Sequence, residues 1–451
     1  MLSRRVATRI SRICRLPEVV GSIIESFVTG FIRFDKTTLR SAVIYKIGIA
    51  SFMAANLRRA IFHTTQLKGT NFSQAKMEWS RFVSVTAERA NFTATLMDSA
   101  TFINCTLKCI IWHATKMNGA AFIQGAVRSC SFAKASMVGT GYQTVLSDCQ
   151  FEMCNMQNSR IGPDTQFQNC TVLGTNMYRA SLNRATIRKG TWRDIDLCGA
   201  SILSSLFHSC NLTLNVRHIH ASHTQFVNCA ISFRDARDTF FDDVLFKDGS
   251  VSVASSRGAT FCKSQFHGVS CHGNSFAGAE FDATAFDRSR FVEVNFTEAT
   301  FHHVNFIGCS FNKVNFQGSH FNGVRFIQCV IEDVRFDNVK QPLLSFEGCS
   351  IVGSIFLQTD VTPIDFGNSF MQNVAFLGIL QGFSLAQYCY ISYAGAKLNR
   401  STFELDCVSW VIAGAVAMLI KIMALIFLAF AKLQAAWKAH RDHQPHHSIG
   451  T

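Results

Sequence analysis

Large apolar side chains recur at every fifth residue along most of this chain. Of the 31 positions met in steps of five from Phe226 to Phe376, 21 are Phe, where 42 Phe in 451 residues would put about three by chance. Phe296, Phe301, Phe306, Phe311, Phe316 and Phe321 keep the beat without a break. An earlier frame runs Leu57, Phe62, Leu67, Phe72, Met77, Phe82 and on to Tyr142, and a third spans Phe167 to Leu212. The beat slips near 143–167, in 213–225 and at 377–383, and Phe383, Tyr388, Tyr393, Leu398 and Phe403 complete it. A period of five matches neither 3.6 nor 2, so no helix and no single strand can hold all these side chains on one face. The chain must instead turn a corner every five residues. If each five-residue piece is one side of a square, four sides close a coil of 20 residues, with the apolar residue and the small residue two before it pointing inward.

The cysteines agree with that geometry. Ten of the 17 (Cys105, Cys130, Cys149, Cys154, Cys170, Cys210, Cys229, Cys309, Cys329 and Cys349) lie two residues before a beat position, a place otherwise held by Ala, Ser, Thr or Val. Cys309, Cys329 and Cys349 are 20 apart and would stack on one side, and Cys170 and Cys210 are two such steps apart. They serve as small apolar side chains, which suits a chain folding in a reducing compartment and not a disulfide scaffold.

With local matches at AANLRR (54–59), RANFTA (89–94), GAEFDA (278–283) and GAKLNR (395–400), the chain resembles the pentapeptide-repeat family, whose unit is summarised as A(D/N)LXX. The resemblance covers residues 57–403. It implies an all-β solenoid, a right-handed quadrilateral β-helix of about 17 coils joined by parallel backbone hydrogen bonds, and roughly 80 Å long at the usual strand spacing. This chain favours Phe over Leu and Val or Cys over Ala. The repeat region is expected over 51–405.

Coil stacks expose unpaired strand edges at both ends and need caps. Residues 1–50, with 9 basic and 3 acidic side chains, are expected to form a short helical cap: in MLSRRVATRISRICRLP, Val6, Ile10 and Ile13 share one side of a helix, with arginines beside them, a pattern that also suits a helix lying on a membrane surface and superficially resembles an organelle presequence. At the other end, Val408 to Ala431 is a run of 24 residues with one charge, Lys421. That is long enough to span a bilayer, the alternative being a buried helix that seals the end of the repeat. Lys421 near its middle is costly unless it faces a polar cavity or the helix of a second copy, which makes a homo-oligomer through this helix a partner reading. Residues 432–451 form a basic, His-rich tail.

The interior of such a coil is filled by its own side chains and leaves no cleft to desolvate a substrate. The sequence holds no phosphate-binding Gly loop, no G-x-S-x-G, no H-E-x-x-H and no paired C-x-x-C. No enzyme activity, cofactor or resident metal is expected. The best histidine constellation for a metal is His218, His220 and His223, at a slip in the beat, with a spacing that matches no closed zinc site, and the tail offers His440, His443, His446 and His447, whose basic surroundings read instead as an interfacial collar. Seven N-x-[ST] sequons follow from a repeat rich in Asn, Ser and Thr.

These readings converge on a non-enzymatic scaffold, a rod anchored by 408–431 and offering its faces to protein partners. The rod is expected on the cytoplasmic side of a single-pass anchor, because no export signal precedes it. The resemblance also implies two alternatives: a bacterial effector secreted by a type III-type system into a host cell, and a gyrase-binding mimic of DNA. The second needs an acidic rod, whereas 51–403 carries 30 basic and 24 acidic side chains. Nucleic acid is not an expected partner, since no reader motif or aromatic interleaving accompanies the basic residues.

Overall fold

The computed structural model describes residues 23–25, 32–45, 50–359, 364–377, 397–399 and 402–403. Short strands pair in parallel with the strand one coil onward: Phe281 lies opposite Phe261 and Phe301, and Phe286 opposite Phe266 and Phe306. The result is an all-β parallel solenoid of about 16 turns, close to the length expected from the beat. No helix occurs among the described residues.

Four columns of inward side chains fill it. The first runs Phe62, Phe82, Phe102, Phe122 and Tyr142 and later includes Phe301 and Phe321. The second runs from Leu67 to Phe366 through Phe306. The third holds Phe72, Phe92, Trp112 and Phe132 and later Phe311. The fourth begins Leu57, Met77, Met97, Met117 and Met137 and ends Phe276, Phe296, Phe316, Phe336, Phe356 and Phe376, all buried. Rings stack face to face along a column at the strand spacing, as Phe296 on Phe316 at 5.1 Å and Phe286 on Phe306 at 4.8 Å. Between columns they meet edge to face, as Phe296 with Phe301 at 5.4 Å. Both are favoured aromatic geometries, each worth about 0.5–1.5 kcal/mol beyond burial.

The corners explain the rest of the five-residue unit. Two residues after each inward side chain the backbone turns left-handed, in succession at Arg59 (φ 58°), Thr64 (49°), Gly69 (60°), Gln74 (60°), Trp79 (63°) and Ser84 (51°). For a residue other than glycine this costs roughly 1–2 kcal/mol. Inter-coil hydrogen bonds offset it: Arg59 N–H donates to Glu78 O at 3.0 Å and Trp79 N–H to Asp98 O at 3.0 Å. Asn just before an inward residue accepts from the N–H two residues on, as Asn91 Oδ1 from Thr93 at 2.9 Å and Asn295 Oδ1 from Thr297 at 3.0 Å, the Asx turn that tightens a corner.

The register steps where coils differ in length. Ile123 pairs with Gln143, but Ala126 with Val145, and Gly125 (φ 104°) takes the step. A longer coil follows, Val145 pairing with Gln166, and a second step separates Trp192–Leu212 from Ile195–Leu214.

The N-terminal expectation needs correction. Within 1–50 the described residues are strands: Ile23–Glu25 pairs with Val43–Tyr45, and Ile32–Arg33 with Ala50–Ser51. Phe34, Leu39 and Ile44 are inward and buried, and Phe34 stacks on Phe52 at 5.0 Å. Repeat coils, not a helical cap, occupy these positions, because apolar residues five apart satisfy the square coil there too. Residues 1–22 of that cap, the span Val408–Ala431 with Lys421, and the tail lie outside the described residues; among the described residues no helix is long and apolar enough to cross a membrane.

Candidate functional site

Among the described residues the interior is filled by side chains. Phe296, Phe301, Phe306, Phe311, Phe316 and Phe321 have no exposed surface, and Cys309, Cys329 and Cys349 stack beside the third column at 2% exposure or less. Each thiol donates to the carbonyl of an inward residue on the previous coil, Cys309 to Phe286 O, Cys329 to Phe306 O and Cys349 to Phe326 O, all at 3.3 Å. Thr and Ser do the same at equivalent places, as Ser319 Oγ to Phe296 O at 2.7 Å and Thr284 Oγ1 to Phe261 O at 2.8 Å. This position therefore selects small residues that are apolar or can satisfy one carbonyl. Burial pushes the Cys105 thiol up to about 11 and those of Cys154 and Cys271 up to about 12, so these groups are protonated and poor nucleophiles at neutral pH. All 14 cysteines among the described residues are free, and 11 are buried.

The three histidines do not converge. His218 and His223 occupy successive left-handed corners (φ 56° and 50°), while His220 points outward from the strand between them. Each meets a different residue of the next coil: His218 Nδ1 lies 3.9 Å from Asp238, His223 Nε2 lies 3.7 Å from Asp243, and the His220 ring packs on Phe240 at 5.3 Å. No group of three or more metal-binding side chains forms among the described residues.

A shallow groove of about 520 Å³ lies on the outer side of the first column, where the register steps. Gly141 and Gly162 leave its floor without side chains, Ile123 and Pro163 line it, and Arg160 is its only charged lining residue. It holds no acid–base pair, no nucleophile with a base and no set of oxyanion donors, so general acid–base or covalent chemistry has no machinery there.

The outer surface of the described coils carries exposed corner residues at a regular rise. The most unusual of these is Trp79, 62% exposed at a left-handed corner. The beat already sets Trp79 apart: it stands two residues after inward Met77, outside the apolar frame, and that signal was available in the sequence.

Two family models match the chain, one described as pentapeptide repeats (8 copies) over residues 50–86 and one as pentapeptide repeat region over residues 259–336. Among solved structures, HetL, a pentapeptide repeat protein involved in heterocyst differentiation regulation from the cyanobacterium Nostoc sp. strain PCC 7120, is 13% identical, over 59% of this chain and 89% of HetL, with a TM-score of 0.16. Full-length QnrB1, a plasmid-mediated fluoroquinolone resistance protein, is 17% identical, over 60% of this chain and 99% of QnrB1, at 0.22. The PL6 family alginate lyase AlyGC is 9% identical, over 82% and 88%, at 0.26. No curated protein matches the chain.

Proposed function

We propose, on the premise that this chain belongs to the pentapeptide-repeat family, that it is a non-enzymatic scaffold, a right-handed rod held to a membrane by Val408–Ala431 and presenting its outer faces to protein partners. The observation that carries this is the closed interior: four columns of inward side chains fill the described coils, and the groove beside Arg160 lacks catalytic groups. A stack that contacts only its neighbours is stiff along its axis and offers long regular faces, the property that solenoids use for binding. The anchor rests on the length and single charge of 408–431.

Partition of the full chain between aqueous and detergent phases at neutral pH tests it, beside a form ending at Phe403. The full chain is expected in the detergent phase and the shorter form in the aqueous phase. Both forms in the aqueous phase would end the membrane half of this reading.

A further inference from the structure

In a solenoid, position in sequence is position along the axis, and this turns an unremarkable net charge into a polarised rod. Residues 50–234 carry 18 basic and 8 acidic side chains, while residues 235–377 carry 10 basic and 16 acidic. The N-terminal half is strongly positive and the C-terminal half negative, a separation hidden in the small total. Residues 1–49 add 9 basic against 3 acidic at the same end.

Trp79 stands in this positive half. It is the only Trp, Tyr or Phe among the described residues with a left-handed φ. The same corner one coil before is Arg59, and further on it is Ser99, Gly119 and Gly139. A bulky ring at such a φ is an outlier, and its exposure sacrifices burial as well: the other two described tryptophans, Trp112 and Trp192, are fully buried. Left-handed, exposed corners recur on every coil, and Met153 is equally exposed at one (64%, φ 49°), so what sets Trp79 apart is its indole ring and the charges around it. Its neighbours are cations. Lys76 and Arg81 flank it on its own coil and Arg59 lies beneath it, all exposed and without an ion pair among the described residues. Among the nearby acids, Glu78 is held by Arg58 at 2.8 Å and also attracts Lys76, and Asp98 accepts from the neutral Asn118 N–H at 2.9 Å, so the corner and its surroundings hold four cations (Arg58, Arg59, Lys76 and Arg81) against two acids.

We propose that the corner formed by Trp79, Arg59, Lys76 and Arg81 docks on an anionic lipid surface, the indole entering the headgroup layer and the three cations meeting lipid charges. An exposed Trp ringed by Arg and Lys is the chemistry of interfacial binding. Nucleic acid suits the corner less well: it is a convex edge with one ring, not a groove with successive stacking platforms. The contact lies on the N-terminal coils and does not depend on the segment 408–431.

The test is co-sedimentation of the full chain with vesicles of phosphatidylcholine alone and of phosphatidylcholine mixed with phosphatidylserine, at low and high salt. Phosphatidylserine is expected to strengthen binding, and salt to abolish that gain. Arg59→Gln/Arg81→Gln is expected to weaken the phosphatidylserine-dependent binding by roughly 25-fold, about fivefold for each cation. Trp79→Asn is expected to weaken it at least fivefold while melting no lower than the parent, since Asn tolerates the left-handed corner. A merely structural tryptophan would instead lower the melting temperature. Arg290→Gln, in the negative half, is expected to change nothing. The proposal is overturned if phosphatidylserine gives no gain, if Trp79→Asn binds like the parent, or if duplex DNA is bound more tightly than the mixed vesicles with no effect of Trp79→Asn. Failure of the 408–431 anchor reads separately, as loss of binding to phosphatidylcholine alone with the phosphatidylserine gain retained.

Discussion

Raising the pH should dismantle this solenoid well before peptide chemistry intervenes. Burial lifts Cys105 to about 11 and Cys154 and Cys271 to about 12. Hydrogen bonding to the thiol of the preceding coil, with burial, lifts Cys149 and Cys329 to about 12. In the unfolded chain a thiol titrates near 8.5. A folded pKa above the unfolded one means the folded state holds its proton longer, so the stabilisation is complete below about pH 8.5 and is lost as pH rises toward the folded values. Between about pH 9 and 11 each of these five thiols should remove about 1.4 kcal/mol per pH unit, together about 7 kcal/mol per unit. Two units exceed or match the 5–15 kcal/mol that holds a typical domain. The assay is urea unfolding followed by far-ultraviolet circular dichroism at pH 8, 9 and 10. The midpoint should fall steeply across this series, and Cys149→Ala/Cys154→Ala should lessen the slope by about 3 kcal/mol per pH unit. A midpoint that is flat from pH 8 to 10, or a slope indifferent to the two alanines, would refute the assignment of these thiols as buried and protonated.

Other outcomes follow from the same packing. Phe301→Ala removes a ring that touches Phe281, Phe296, Phe306, Phe316 and Phe321 and should cost about 3–5 kcal/mol by denaturant titration; amide exchange should show the loss centred on neighbouring coils and not on coils near residue 60. Gly125→Ala should cost at least about 2 kcal/mol in the same titration, because the new Cβ would sit 2.2 Å from Cys105 O. Maleimide labelling of the native full chain, read by intact mass, should leave at least the 11 buried cysteines unmodified and reach all 17 after unfolding.

What the sequence shows of this fold is the inward column, because a Phe every five residues over many coils leaves one way to bury all of them. It is less plain near the N-terminus. Phe34, Leu39 and Ile44 keep the five-residue interval, but the next coil is short, Val43 pairing with Ile61 and Phe34 lying on Phe52, so the phase jumps and the beat is lost before it reaches them. The histidines mislead for a related reason. Residues 218, 220 and 223 look adjacent in sequence, yet a corner every five residues turns the chain by a side of the square between 218 and 223. Stacking then gives each of the three its partner 20 residues away. Surface function is the least legible part, since charge counted over the whole repeat cancels, and only the axial order imposed by the coils separates the positive half from the negative one.

The inward or outward placement of every side chain depends on register, and disulfide trapping measures it directly. Ser181 lies opposite Ser201, an interval of 20, but Ser201 lies opposite His220, an interval of 19, because the step after Trp192 shortens that coil. Neighbouring strands place Cα atoms about 4.8 Å apart, within reach of a disulfide. Under mild oxidation, with bonds located by peptide mapping, Ser181→Cys/Ser201→Cys and Ser201→Cys/His220→Cys should both cross-link. Ser201→Cys/Ala221→Cys should not, because Ala221 faces the core. Cross-linking of Ser201→Cys with Ala221→Cys but not with His220→Cys would contradict the register, and with it the assignment of every inward and outward residue beyond that step.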